Sequence, residues 1–245
     1  MILDAARVLI PFVISFGIGV GLAPVLTYYL YKYKAWKKKA GKEKGMGDDN
    51  GTPLFNELHA VRETSAPRMG GIIVWGSVLL TSSFIFLLSY LYGGEFTELD
   101  FFNRGQTWLP MFALLAGGLI GLVDDGLEVL KSEGGLALPW RLALVTALAA
   151  FAGWWFYAKL GISTIGIPFI GPFALGPLFI PFFVLVTLAI YASGVIDGID
   201  GLAGGIFAII FMAYAGIAFA QEQIALSAFA ACVSGGIFAF LWFNV

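Results

Sequence analysis

Histidine and cysteine each occur once in the 245 residues, as His59 and Cys232. One cysteine, set in an apolar run, excludes an internal disulfide framework and a cysteine-built zinc cluster. One histidine excludes a metal site made of several histidines. Charge is scarce too. Asp, Glu, Lys and Arg make up 12% of the chain, against about 25% in soluble globular domains. The net charge of −2 gives no global field that would draw nucleic acid. No soluble domain, long linker or internal repeat stands out.

Apolar surface is what the chain has in excess. Hydrophobic residues account for 59% and aromatics for 16%. A soluble protein of this length could not hide so much in one core, so the expected solvent is a bilayer. Apolar runs near the length of a membrane-spanning helix recur. They predict about seven spans, at 8–31, 70–92, 107–123, 142–158, 176–196, 202–220 and 224–243. The expected fold is an all-α polytopic membrane protein, with residues 1–245 forming one integral membrane domain. The Gly- and Pro-rich stretch "GISTIGIPFIGPFALG" (161–176) reads equally as a short β-hairpin or an irregular loop.

Basic residues orient these spans. Seven lysines fall in 32–44, directly after the first run. Cytoplasmic loops collect Lys and Arg, so the 32–69 loop is expected inside and the N-terminus outside. The first run is then an uncleaved anchor, not a signal peptide. Counting spans from there, only Arg7, Arg104 and Lys159 of the 14 basic residues fall outside. The 161–176 stretch is also outside.

With that topology the carboxylates gather on one side. Asp124 and Asp125 are expected to end the third span, and Asp197 and Asp200 the fifth, both at the cytoplasmic surface. Asp48, Asp49 and His59 lie in the first inner loop. Asp197 and Asp200, three apart, share a helical face. Adjacent Asp124 and Asp125 cannot point the same way on a helix, so one can face a cleft while the other contacts a neighbour. Clustered carboxylates repel unless a cation or proton relieves them. A hard cation suits such oxygens, Mg²⁺ above all, and Mg²⁺ usually brings phosphates. The glycines around Gly198 allow close approach of backbone or helices.

Three stretches together resemble the polyprenyl-phosphate hexose-1-phosphate transferases, the glycosyltransferase family 4 superfamily of MraY, WecA and TagO. They are "HAVRETSAPRMGGIIVW" (59–75), "GLVDDGLEVLK" (121–131) and "DGIDGLAGG" (197–205). The closing "FLWFN" (240–244) is similar to a further stretch of MraY. The resemblance implies a bacterial inner-membrane enzyme for cell-wall or surface-glycan synthesis. It would move a sugar 1-phosphate, phospho-MurNAc-pentapeptide or an N-acetylhexosamine 1-phosphate, from a UDP-sugar to undecaprenyl phosphate and release UMP. Mg²⁺, with Mn²⁺ as the alternative, would be the cofactor, and a homodimer the expected assembly. Asp124 or Asp125 would serve the lipid phosphate as base or orienting group. Asp197, Gly198 and Asp200 would line the nucleotide pocket, with Lys131 and His59 near the phosphates. Asp125 and Asp197 would touch the metal.

Some positions depart from the family pattern. Glu128 stands where a lysine often follows the aspartate pair. Arg68 takes a threonine position, and Tyr191 and Gly194 replace asparagines. The chain stops at Val245, before a Gly-Asp-type loop expected to carry the main metal ligand, so a fragment of a longer protein is expected. A non-catalytic homologue is the first alternative reading, and a transporter the second.

Overall fold

The computed structural model describes residues 2–36, 67–102, 105–131, 135–193 and 201–244. Seven α-helices, two short 3-10 turns (Gly94–Glu98 and Gly176–Leu178) and one β-hairpin are found among the described residues. The helices are α1 (Ile2–Lys32), α2 (Ile72–Tyr92), α3 (Trp108–Lys131), α4 (Leu138–Lys159), α5 (Phe179–Ser193), α6 (Leu202–Ala220) and α7 (Ile224–Asn244). Between α4 and α5 lies an antiparallel pair, β1 (Thr164–Ile167) and β2 (Gly171–Ala174). The protein is an all-α polytopic membrane protein. Five helices, α1, α2, α4, α6 and α7, are long and apolar enough to cross a bilayer, and α5 with its lead-in is a shorter apolar helix. Large apolar side chains such as Leu9, Phe86, Leu185, Ile209 and Trp242 face outward, which hydrocarbon permits and water does not.

Two boundaries differ from the sequence expectation in ways that matter. The third helix does not stop before its aspartates but runs on through Asp124 and Asp125 to Lys131. Ties from neighbouring segments hold this extension, as described below. The fourth helix starts at Leu138, four residues earlier than expected, where Pro139 supplies a pre-set first turn. The stretch at 161–176 forms the hairpin, in the register Thr164↔Ala174 to Ile167↔Gly171.

The core is centred on α7, whose sequence "SAFAACVSGG" is made mostly of small residues. Apolar side chains do not drive helices together in lipid, so close backbone approach and polar contacts must. Both occur here. A Cβ added at Gly235 would collide with the Phe12 carbonyl of α1. One at Gly236 would lie 2.5 Å from Ser77 Oγ of α2, and one at Gly19 would lie 2.5 Å from Ala239 Cβ. Hence α7 fits between α1 and α2. On its other side, Ser227 Oγ donates to the Ala215 carbonyl at 2.8 Å and Ser234 Oγ to that of Ala208 at 3.0 Å, both on α6. Val78, Ile85, Phe229, Cys232 and Val233 fill the space between. Arg7 near the start of α1 pairs with Glu98 beyond the end of α2, joining those two ends.

The Gly235 contact makes a clear test. Gly235→Ala sets a methyl group against a backbone carbonyl that cannot step aside. It should cost about 1–3 kcal/mol of stability, the usual range for overpacking. Gly216→Ala, with open space around its Cβ position, should be neutral or stabilising by up to about 1 kcal/mol. Thermal unfolding in detergent micelles measures both.

Candidate functional site

The site lies at one end of the bundle, where α1 finishes, α2 begins and α3 finishes. Its first sixteen residues make α3 apolar; the next eight carry Asp124, Asp125, Glu128 and Lys131. Asp125 and Glu128 are three apart and so share a face. That face meets the chain leading into α2. Asp125 Oδ2 accepts the Met69 N–H at 3.1 Å, and Glu128 is ion-paired with Arg68. The Arg68 N–H in turn donates to the Ala35 carbonyl at 2.8 Å, just past α1. Met69 itself is left-handed, with φ of 71°. Two turns further along, Gly118 lets α3 approach the Trp75 indole of α2, where a Cβ would lie 2.7 Å from Cδ1.

Asp124 points elsewhere, as expected for adjacent helical positions. Its Oδ1 accepts the Leu136 N–H at 2.6 Å and lies 3.3 Å from Arg141 Nε. Arg141 Nε also donates to the Leu136 carbonyl at 2.6 Å. Gly135 packs so closely on Asp124 that a Cβ there would overlap its carboxylate. Asp124 therefore fastens the α3–α4 connection. Asp125 keeps one carboxylate oxygen, Oδ1, with no hydrogen bond among the described residues.

Electrostatics separate the two carboxylates further. Asp125 lies past the apolar part of α3. Burial pushes its carboxyl above the ordinary value, against the nearby Arg68 charge and the Met69 N–H, which lower it; Asp124 and Glu128 add to the rise. Arg68 is thus flanked by two carboxylates one helical turn apart. It partly offsets the repulsion that three acidic residues on one short segment would otherwise create.

A second junction brings in the remaining motif stretches. Phe240, near the end of α7, packs where a Cβ at Gly70 would sit, 2.8 Å from Cε2. The same ring lies 3.7 Å from the Cβ position of Gly204, and Leu241 Cδ2 lies 2.7 Å from it. Gly204 is in the first turn of α6. That helix starts at Gly201 with φ of 78°, a conformation that glycine adopts without strain. So the α2 entry, the α6 entry and the "FLWFN" stretch converge on one aromatic ring. The Asp125–Met69 bond adds the α3 carboxylates to the group.

Of the residues expected to form the site, Asp124 and Asp125 are brought to this end of the bundle. His59, Asp197, Gly198 and Asp200 lie outside the described residues, as does the side chain of Lys131. Among the described residues no three His, Cys, Asp or Glu side chains gather as a metal cage. The donor chemistry nevertheless fits Mg²⁺, which takes one or two carboxylates and fills its shell with water and phosphate oxygens. Asp125 Oδ1 is available for that. Sequence reasoning missed the Arg68–Glu128 pair and the bracing role of Arg141. Arg68 and Glu128 were visible only as separate charge changes, yet their opposite signs beside two motifs were the clue.

The glycosyl transferase family 4 profile matches residues 107–245, more than half of the chain. The chain belongs to glycosyl transferase family 4. Similar members are named phospho-N-acetylmuramoyl-pentapeptide-transferase. That of Clostridium beijerinckii is 26% identical over 246 residues, covering 98% of this chain and 66% of its own length. Those of Clostridium novyi and Bacillus cytotoxicus are 30% identical over 241 residues, covering 97% and 94% of this chain and 65% of their own lengths. This family 4 chain therefore spans just under two thirds of the length of the relatives it matches.

The two aspartates should respond oppositely to substitution. A carboxyl whose folded pKa exceeds its unfolded one binds protons more tightly when folded. The fold then loses stability as pH rises through the unfolded value towards the folded one. At neutral pH the Asp125 charge is thus a net cost, and Asp125→Asn should raise Tm at pH 7 while keeping an acceptor for Met69. Asp124→Ala strands the Leu136 N–H and should cost about 1–3 kcal/mol. Thermal melts of both variants at pH 7 check the pair.

Proposed function

We propose that this chain is the catalytic membrane part of a Mg²⁺-dependent phosphoglycosyl transferase. It would move a sugar 1-phosphate from a UDP-sugar to a polyprenyl phosphate at the cytoplasmic face of a bacterial inner membrane. The observation that supports it most is the junction at one bundle end. There Asp125, with one open carboxylate oxygen, is bonded to the α2 entry, which meets the α6 entry on Phe240. A transporter would call for carboxylates near mid-membrane. Asp124, Asp125 and Glu128 all lie on the last two turns of α3 instead.

In the proposed reaction an oxygen of the lipid phosphate attacks the phosphorus that carries the sugar. A new P–O–P bridge forms, the bond from that phosphorus to the UMP oxygen breaks, and UMP leaves with the electron pair. Such transfer depends on positioning and on neutralising phosphate charge. Asp125 orients the lipid phosphate and takes its proton when it arrives as the monoanion. Its raised pKa suits it to that exchange. Asp124, committed to Leu136 and Arg141, holds the α3 end in place. Asp125 and Asp197 would hold Mg²⁺, which supplies charge neutralisation to the bridging phosphates. Asp200 and Gly198 would line the nucleotide pocket. Lys131, His59 and the partly exposed Arg68 would attract phosphate oxygens.

The test uses the full-length protein in membranes with undecaprenyl phosphate and a radiolabelled UDP-amino sugar. Label should enter the lipid fraction in a Mg²⁺-dependent manner. Asp125→Asn and Asp197→Asn should each lower it by roughly 10²-fold or more. Full activity in both variants overturns the assignments. UMP or UDP-sugar binding by calorimetry without any turnover would identify a non-catalytic homologue instead.

A further inference from the structure

The β1–β2 hairpin does no evident work for the site and carries an unusual tip. Its strands are joined by Pro168, Phe169 and Ile170, with the Ile170 N–H bonded to the Ile167 carbonyl at 3.1 Å. Proline followed by a residue of positive φ is the pattern of a type II turn, which favours glycine at the second position. Here that residue is Phe169, with φ of 68°. A bulky side chain in this conformation is an outlier. Its ring also gains nothing from the fold: Phe169 is 109% exposed and Ile170 79%. Phe173 and Leu178, further along the same connection, are 51% and 66% exposed.

Position along the membrane normal explains what such a tip can meet. Helix α4 starts beside Asp124, where Arg141 is bound, and its 22 residues rise about 33 Å at 1.5 Å each. It ends in Trp154, Trp155, Tyr157 and Lys159, the aromatic and basic mixture of a membrane–water boundary. The hairpin begins five residues later, at the opposite end of the bundle from the carboxylates. Its base is held where the Leu175 and Gly176 N–H groups bond to the Ser163 carbonyl at 2.8 and 3.1 Å. Four-residue strands reach only about 13 Å from there. From Leu160 to Ile196 the sequence has no charged residue. The hairpin thus lies in an uncharged stretch between α4 and α5, on which Trp154, Phe182 and Leu185 are also exposed.

We propose that the Pro168–Phe169–Ile170 tip anchors in the lipid leaflet at the bundle end opposite the carboxylates. The anchor fixes the level of the α4–α5 connection against the bilayer. The inference rests on the membrane fold and not on the proposed transferase activity.

Spin labels at Phe169→Cys and, separately, Ile170→Cys test it in full-length protein reconstituted in liposomes. Cys232 is fully buried and out of reach of the label. Thr97→Cys, on the exposed turn after α2, serves as the water-facing reference. Labels at 169 and 170 should collide several-fold more with oxygen, relative to a water-soluble nickel chelate, than the label at 97. Brominated lipids should quench a fluorophore placed at the same two sites. Nickel accessibility equal to that at 97, at both sites, overturns the proposal. So does spin–spin broadening that disappears on dilution into more lipid, which would show a second copy covering the tip.

Discussion

A charged group cannot leave water for hydrocarbon without a partner, and that cost arranges this molecule. The spans hold Ser and Thr whose hydroxyls bond to backbone carbonyls or to each other, as Ser227, Ser234 and Ser82 do. The carboxylates of α3 sit on its last two turns and are met there by Arg68, Arg141 and backbone N–H groups. Each partner comes from a different segment. Neutralising charge therefore also ties the α2 entry, α3 and α4 together at the place where phosphate chemistry is proposed, and the Arg68 backbone N–H joins the end of α1 to them.

Packing carries the rest of the arrangement. Glycines on α7 and α1 let α1, α2 and α7 approach closely, as at Gly19, Gly235 and Gly236. That closeness brings the end of α7 to the entries of α2 and α6, where Phe240 fills the gap left by Gly70 and Gly204. A larger residue at either glycine would push one entry away from the ring. Loss of the Asp125–Met69 bond would then follow from packing alone, since Met69 adjoins Gly70.

The membrane fold was legible because apolar runs and helix length obey one simple rule. Of the carboxylates expected together on one side, Asp124 and Asp125 are the pair among the described residues, and both sit at one end of the bundle. The end of α3 was not legible. Residues 124–131 look like a loop by polarity, and they stay helical through contacts with Arg68, Met69 and Leu136, which are remote in sequence or belong to another segment. The hairpin was one of two readings, as Gly and Pro suit both; the pairing of Thr164–Ile167 with Gly171–Ala174 decides between them. The separate directions of Asp124 and Asp125 followed from helix geometry. Which of the two keeps an open oxygen depended on the Leu136 and Arg141 contacts, on which spacing is silent.

The Arg68–Glu128 pair has a consequence for substitution at either position. Remove the guanidinium, and Glu128 loses the ion pair that ties it to the segment leading into α2. Remove the carboxylate, and the field at Asp125 turns more positive, which shifts the protonation of its neighbour. Neither position can drift alone without disturbing the other or Asp125. Sixty positions apart in the chain, the two residues set one local field, so a change at either is felt at Asp125.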